Sequence, residues 1–481
     1  MSLSIEDFLH PWLNAYVTSP QWVKSILGRA YRGLPVAFRR GRRFVSFKRE
    51  IVEGAASKGE FGRRKLAATL HWAIETVPAY RQYQDLIGSV AAHPLQVLNE
   101  LPILKKEDIK KDPSSYLSRS MPASTRLKMF TGGSTANPMM FYLHKGVSRP
   151  REYAFMDDFH SRVGLTDDDI VLALRGRTVP TAGKPSGRIW MYEPIKRQLI
   201  LSTDHLERRW MPKYAEALRK WRPRFIQAFP SALYPVARWL AENPMPELAT
   251  RLRGVLLYSE NIYGFQMDLF KAVFGCPVLK HYGHSERVLM AASMPDDGRY
   301  FFWPQYGHFE LLDINGNQVT QPGVLGEIVG TSFDNLVMPF LRYRTGDMAM
   351  LSTGPEHPAL PGYAPVERIE GCLQEFLVCH DSRLVSISTM GAAHFGQLAE
   401  VDEMQYEQHQ PGHFNLKVVT RKPLSESAKQ DIEHAVIAKT QGGCSVTVIE
   451  VAAIERTARG KNRMLIQHLD ITQYLVGRRC I

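Results

Sequence analysis

From about residue 126 onward, short apolar runs bounded by glycine or proline alternate with stretches of helical periodicity. This alternation constrains the fold more than any other feature of the chain. "DIVLALRG", "PRFIQAFP", "LRGVLLYS" and "CPVLKHYG" are too short for buried helices and lack the in–out alternation of half-exposed strands. They read as strands covered on both faces. Between them, "MPKYAEALRKW" and "YPVARWLAEN" repeat apolar residues at three-to-four spacing, as helices do. Strand–helix–strand order needs crossovers, and so implies a parallel sheet. Residues 60–120 read mainly as helix, with "GRRKLAATLHWAIETVPAYRQY" keeping its period until Pro78. Residues 300–350 look antiparallel instead, with a turn signal at Asn315-Gly316 in "YFFWPQYGHFELLDINGNQ". Beyond residue 371 come a hairpin in "FLVCHDSRLVS", a strand in "HFNLKVVT", a helix in "ESAKQDIEHAVIAKTQ" and a strand in "CSVTVIEV".

A chain of 481 residues exceeds one ordinary core. The expectation is therefore an α/β protein in three parts. A helical N-terminal arm over 1–125 joins a large domain of parallel sheet with a small antiparallel segment over 126–370. A small, mobile α+β domain follows over 371–481, with "RIEGC" as the linker.

Composition narrows the function classes. Hydrophobic residues at 44% and charged residues at 22% suit a globular protein. The longest apolar runs fall short of a membrane span. "MSLSIEDFLH" has no cationic-then-apolar pattern, so no secretory leader is expected. Cys276, Cys372, Cys379, Cys444 and Cys480 are scattered without a C-x-x-C pair, which suggests neither a disulfide framework nor a zinc site. A reducing cytoplasm is expected. The net charge of +12 is uneven: Arg29 to Arg49 holds eight Lys/Arg and no acid, interspersed with Tyr31, Phe38, Phe44 and Phe47. Such a stretch can meet nucleic acid or an anionic membrane, or form the solvated face of a helical arm. The rest of the chain lacks interleaved basic and aromatic residues, so no nucleic-acid partner is expected; a solvated face is the favoured reading of Arg29–Arg49, with weak contact to an anionic membrane as its alternative.

Four short segments are candidates for chemistry, although each taken alone reads equally as a turn, a surface glutamate, a salt-bridged turn or a solvated loop. "MFTGGSTANPMMF" places Thr131, Gly132, Gly133, Ser134 and Thr135 in a loop that can wrap a phosphate with backbone and hydroxyl donors, or simply turn. No G-x-x-x-x-G-K-[ST] loop exists in the chain. "KHYGHSER" follows an apolar strand and puts Glu286 at its carboxyl end, where ligands of open α/β sheets collect. A carboxylate there can hold Mg²⁺ while phosphates complete the shell. "LRYRTGDMAM" carries Asp347 after a Thr-Gly turn, an acceptor suited to ribose hydroxyls. "ERTARGKNRMLI" places Lys461 after a glycine in a basic loop.

In this order and at these separations the segments resemble the adenylate-forming superfamily of acyl- and aryl-CoA synthetases. "LYSE", Leu257 to Glu260, looks like that family's short adenine-side segment. "HWAIETVPAYRQY" and "LNELPILKKEDIKKD" are similar to the opening of phenylacetate–CoA ligases and their relatives in capsule and surface-polysaccharide gene clusters. "TGGSTANP", "YGHSERV" and "RTARGKNR" sit closer to the polysaccharide-associated branch. The resemblance covers roughly residues 70–470.

The resemblance implies ATP-dependent activation of a carboxylic acid to an acyl-adenylate, followed by capture of the acyl group by CoA or an amine. Thr131 to Thr135 would hold phosphates, Glu286 would carry Mg²⁺, and Asp347 would fix the ribose. Tyr282 would pack near the adenine beside Ser259 and Glu260, Gly283 and Ser285 would help bind the nucleotide, and Lys461 would reach the reacting carboxylate from the small domain. "RTVPTAGKPSG" and "QAFPSALYPV" would border the acid. The chain departs from the pattern at Ala136, where many members have glycine. It departs again at Gly371-Cys372, where the family carries Gly-Arg ahead of the hinge carboxylate, here Glu375. Arg368, Arg342 and Arg344 are the expected substitutes for that arginine. A non-catalytic relative that binds nucleotide or a partner is the alternative reading.

Overall fold

The computed structural model describes residues 16, 19–57, 59–131, 139–176, 179, 189–203, 205–313, 315–372, 376–390, 401–455 and 463–474. Gly132, Gly133, Ser134, Thr135, Lys461 and nearly all of "RTVPTAGKPSG" lie outside the described residues.

Twelve strands form one mixed sheet. Five adjacent strands are parallel: Gln198–Leu201, Val171–Leu174, Phe225–Ala228, Gly254–Tyr258 and Val278–Gly283. Every residue of Val171–Leu174, Phe225–Ala228 and Gly254–Tyr258 is buried, as continuous apolar runs require. Met211–Trp221 and Pro230–Glu242 pack their apolar stripes into the same core as these strands. Beyond Val278–Gly283 the sheet turns antiparallel, through Met290–Ala292, Tyr300–Phe302, Ala364–Cys372, Tyr343–Leu351, Leu325–Ser332 and Gly307–Leu312. A separate antiparallel pair, Arg126–Phe130 with Met140–His144, leads into and out of the Gly/Ser/Thr segment.

The N-terminal residues are helical. Glu60–Thr76 ends just before Pro78 and buries Leu66, Leu70 and Ile74 in one cluster with Phe333 and Leu341. The arm comprises Gln21–Gly33, Val36–Arg40 and Arg42–Ala56. Its Phe44, Phe47 and Ile51 pack with Phe155 and Trp303. Arg39 pairs with Asp167 at 3.1 Å, Arg40 with Asp157 at 3.1 Å and Lys48 with Asp157 at 2.7 Å. Part of the basic stretch is therefore neutralised inside the fold. Arg29, Arg42 and Arg43 face solvent, as do Trp22 at 67% and Phe38 at 64% exposure. Among the described residues no helix is long and apolar enough to cross a membrane.

"RIEGC" is not free chain: Arg368 to Cys372 end the strand Ala364–Cys372, in register with Tyr343–Leu351. Past it, the hairpin Phe376–Val378 with Leu384–Ser386 leads to a four-stranded sheet. That sheet runs in the order Ser445–Glu450, His413–Thr420, Val401–Gln410, Leu465–Gln467. Glu426–Lys439, capped by the Ser425 hydroxyl, buries Ile432 and Val436 in the cluster that holds Tyr406 and Leu416. Val401–Gln410 carries no apolar run because its inward positions include Gln408, whose amide donates to the Val378 carbonyl at 2.9 Å and accepts from the Val378 N–H at 2.8 Å. Ion pairs Arg238–Asp402 (3.5 Å) and Arg421–Glu242 (2.6 Å) join this sheet to helix Pro230–Glu242.

Candidate active site

The carboxyl ends of the parallel strands open into a cavity of about 1060 Å³. This is where a doubly wound sheet gathers its ligands. Thr131, Ser259, Gly283, Ser285, Glu286 and Asp347 all line it.

Asp347 owes its position to a bulge. Between Leu325–Ser332 and Tyr343–Leu351 the register slips from Val329↔Arg344 to Glu327↔Met348. Three residues, Thr345 to Asp347, thus stand opposite one. Gly346 has φ +80°, a conformation that a side chain would strain. The Thr345 hydroxyl donates to the Ile328 carbonyl at 2.8 Å and accepts from the Asp347 N–H at 3.1 Å, pinning the loop. The Asp347 carboxylate accepts a 2.8 Å hydrogen bond from the Tyr282 hydroxyl. Burial pushes the Asp347 carboxyl above the ordinary carboxylate value, and the Tyr282 hydrogen bond partly opposes it. Tyr282 is itself raised, first by burial and then by Asp347.

Glu286 lies in the loop after Val278–Gly283 and accepts at 2.9 Å from the Tyr343 hydroxyl. Tyr343 was not among the residues expected at the site, although it opens the same "YRTGD" segment. One carboxylate held by a neutral donor, with an oxygen left for a metal, fits a Mg²⁺ whose remaining ligands are phosphates and water. Lys106 and Arg287 supply cationic lining on this side, and neither was anticipated.

Thr131 sits at the neck of the loop. Its N–H donates to the Met139 carbonyl and its hydroxyl accepts from the Met139 N–H, both at 2.9 Å. It therefore closes the base of the loop with a hydroxyl that is already engaged. Ser259 follows strand Gly254–Tyr258 with φ +61°, a strained backbone of the kind found at ligand clamps.

Several expectations are corrected. Tyr282 does not itself line the cavity and reaches it only through its hydrogen bond to Asp347. Glu260 does not line the cavity; its two oxygens accept from the Ser231 N–H and hydroxyl, both at 2.9 Å, and so satisfy the start of helix Pro230–Glu242. Arg368 does not line it either and is ion-paired with Glu370. It lies four residues, about 13 Å, along the strand from Cys372. Nor are Arg342 and Arg344 free to replace the missing arginine. Arg342 pairs with buried Glu310 at 2.9 Å, and Arg344 pairs with Glu327.

The far end of the cavity is polar. The His160 Nε2 lies 3.0 Å from the Tyr258 hydroxyl and 3.1 Å from the Gln227 amide. Burial lowers His160 to about 4 and His281 to about 3, so both rings are neutral at pH 7. Arg175 lies over the Tyr258 ring at 4.1 Å, and Arg39 and Arg40 of the arm border the same end. Leu469, Asp470 and Ile471 contribute a wall from the C-terminal unit.

Comparison with known proteins gives the same fold. No family model matches the chain. Protein CapK of Staphylococcus aureus is 24% identical over 312 residues, which is 65% of this chain and 67% of that protein. The phenylacetate-coenzyme A ligase of Pseudomonas putida is 24% identical over 305 residues, 61% of this chain and 66% of that protein. The aligned parts thus span about two thirds of each relative. Among solved structures, a 2-hydroxyisobutyryl-CoA ligase in its postadenylation state superposes with a TM-score of 0.65 at 16% identity, covering 87% of this chain and 91% of that one. The same ligase in its thioesterification state gives 0.51, with the same coverage. The chain thus shares the fold of an acyl-CoA ligase and is similar in sequence to CapK and to a phenylacetate–CoA ligase.

Proposed function

We propose that the chain joins a carboxylic acid to ATP, giving an acyl-adenylate and pyrophosphate, and then passes the acyl group to the thiol of CoA. The observation that carries this reading is the convergence on one cavity of Glu286 and Asp347, the latter held by the Tyr282 hydroxyl, beside the neck of the Gly/Ser/Thr loop. The physical problem is that a carboxylate must attack a triphosphate, so two anions meet and charge grows on the departing pyrophosphate. Asp347 would accept from the ribose hydroxyls, with Tyr282 holding its free orientation. Lys106 and Arg287 would offset phosphate charge. Glu286, oriented by Tyr343, would hold Mg²⁺, which when bound supplies the neutralisation of the phosphates that two carboxylates cannot. Lys461, which the family resemblance assigns to the reacting carboxylate, would complete the site from the small domain; the 371–481 boundary belongs to the same reading.

CoA is favoured over an amine because both ligases similar to the chain are CoA ligases by name. The better superposition on a postadenylation state than on a thioesterification state supports a small-domain placement nearer to the former. The His160–Gln227–Tyr258 wall supports a polar acid, one with hydroxyl or amide groups, over a plain aryl or fatty acid. An ATP-consuming reaction of this kind suits the cytoplasm. The exposed Trp22, Phe38, Arg29 and Arg43 support weak adsorption of the arm to an anionic membrane surface.

Acid-dependent ATP–pyrophosphate exchange, screened over hydroxylated, amide-bearing, aryl and fatty acids, tests the reading. Exchange with at least one acid, lost in Lys461→Ala, is the expected result. No exchange with any acid would favour the non-catalytic alternative.

A further inference from the structure

We propose that Glu407, His409 and His468 form a binding site for a divalent cation of the zinc class on the outer face of the small sheet. Among the described residues, this is the one group of three His, Cys, Asp or Glu side chains whose ligand atoms all lie within 4.8 Å of one another. The sheet itself brings them together. Glu407 and His409 are two apart on Val401–Gln410, on the face opposite buried Gln408. Leu465–Gln467 runs parallel beside that strand with Gln408 opposite Gln467, and the His468 N–H donates to the Gln408 carbonyl at 3.0 Å. His468 is thereby placed next to His409.

The two imidazoles stack, with ring centres 4.0 Å apart and planes 10° from parallel. Both present Nε2 to one oxygen: Glu407 Oε1 lies 3.7 Å from that of His409 and 3.5 Å from that of His468. These separations are long for hydrogen bonds. These oxygen-to-nitrogen separations are close to the edge of a tetrahedron around zinc, about 3.3 Å for bonds near 2.05 Å, while the near-parallel planes mean that the exposed rings must turn apart for both in-plane lone pairs to meet one ion. The second carboxylate oxygen of Glu407 is 2.9 Å from Lys417 Nζ, which fixes the carboxylate and leaves Oε1 turned to the rings. Two imidazoles and one carboxylate are a borderline donor set that selects zinc, nickel or copper over magnesium, with water completing the shell. His409 is 58% and His468 45% exposed, so an ion can reach them from solvent. His468 also directly precedes Leu469 to Ile471, which wall the cavity, so a bound ion would tether that segment to the sheet.

Calorimetric titration of the full chain with zinc chloride, without nucleotide or chelator, is the test. One saturable site is expected, undisturbed by millimolar magnesium. His409→Gln or His468→Gln should each weaken it by more than about tenfold, the loss that even an outer-shell change can bring. Absence of saturable binding, or binding in the double variant equal to that of the wild type, overturns the proposal. A second readout needs no variant: zinc should slow carbethoxylation of His409 and His468 in the wild-type chain, mapped by peptide mass, and unprotected histidines would equally overturn it.

Discussion

The Tyr343 hydroxyl donates at 2.9 Å to Glu286, so a strand of the antiparallel half of the sheet orients a carboxylate from the loop that ends the parallel half. The two halves meet where Glu286 and Tyr343 line the cavity. Tyr343→Phe keeps the ring, which is buried with Phe340, and removes only the donor. A hydrogen bond to a charged group contributes about 1.5–3 kcal/mol, so turnover should fall roughly ten- to a hundredfold. The magnesium requirement should rise with it. An unchanged magnesium titration would show that Glu286 does not hold the metal.

Asp347→Asn should separate stability from activity. Burial raises the folded-state carboxyl above its ordinary 3.8. Between that value and the raised one the native chain binds more protons than the unfolded chain, so stability falls as pH climbs through the interval. The amide carries no such cost and still accepts from Tyr282. In the absence of nucleotide the variant should melt higher than wild type at pH 7, with the advantage gone below pH 3.8. Its exchange activity should drop about tenfold or more for want of the charged acceptor. Equal melting curves across pH would remove the buried-charge account.

Cys372 stands cross-strand from Asp347. Arg342 and Arg344 are committed to Glu310 and Glu327, so the wild type lacks the arginine that the family places here. Cys372→Arg should therefore lower the apparent KM for ATP by roughly tenfold, the equivalent of one charge-assisted hydrogen bond. Cys372→Ser should change little. A KM unaffected by the arginine would mean that its side chain does not reach the nucleotide.

His160→Phe with Gln227→Leu should make apolar the end of the cavity proposed to take the acid. A site built to hydrogen-bond its substrate loses far more on removal of those bonds than a hydrophobic pocket loses over one methylene. The ratio of kcat/KM for hydroxylated over aryl acids should fall by at least about tenfold. If the ratio stays fixed, these two side chains do not contact the acid.

Adsorption of the arm to vesicles of anionic lipid should weaken steeply as salt rises, because exposed charges are screened within about 10 Å at 0.1 M. Arg29, Arg42 and Arg43 changed together to Gln should abolish it. Salt-independent adsorption would assign the contact to Trp22 and Phe38 instead.

The buried strands were readable because burial on both faces writes an unbroken apolar run, as in Gly254–Tyr258. Val401–Gln410 escaped because an inward glutamine interrupts its pattern while satisfying backbone at Val378. "LYSE" shows the limit of motif reading. Ser259 lines the cavity, but one residue later Glu260 is absorbed in capping a helix start 29 positions upstream, a long-range contact no local pattern encodes. The basic stretch is similar. Its composition announces positive charge, yet only the fold reveals that Asp157 and Asp167 neutralise part of it. Tyr343 was hidden for the opposite reason, because a tyrosine in a strand is ordinary until its hydroxyl is seen to meet a carboxylate.

The cavity is assembled from two sets of supports that share few residues. Glu286 and Asp347 rest on a loop, a bulge and Tyr343, whereas His160 and Gln227 rest on helix Ser148–Ser161 and strand Phe225–Ala228. Substitutions that share no partner act nearly independently. On the proposed roles, selection can therefore remodel the choice of acid while the nucleotide side stays intact. A lineage built this way diversifies at one end of the pocket only, and its members should share a reaction long after they have ceased to share a substrate.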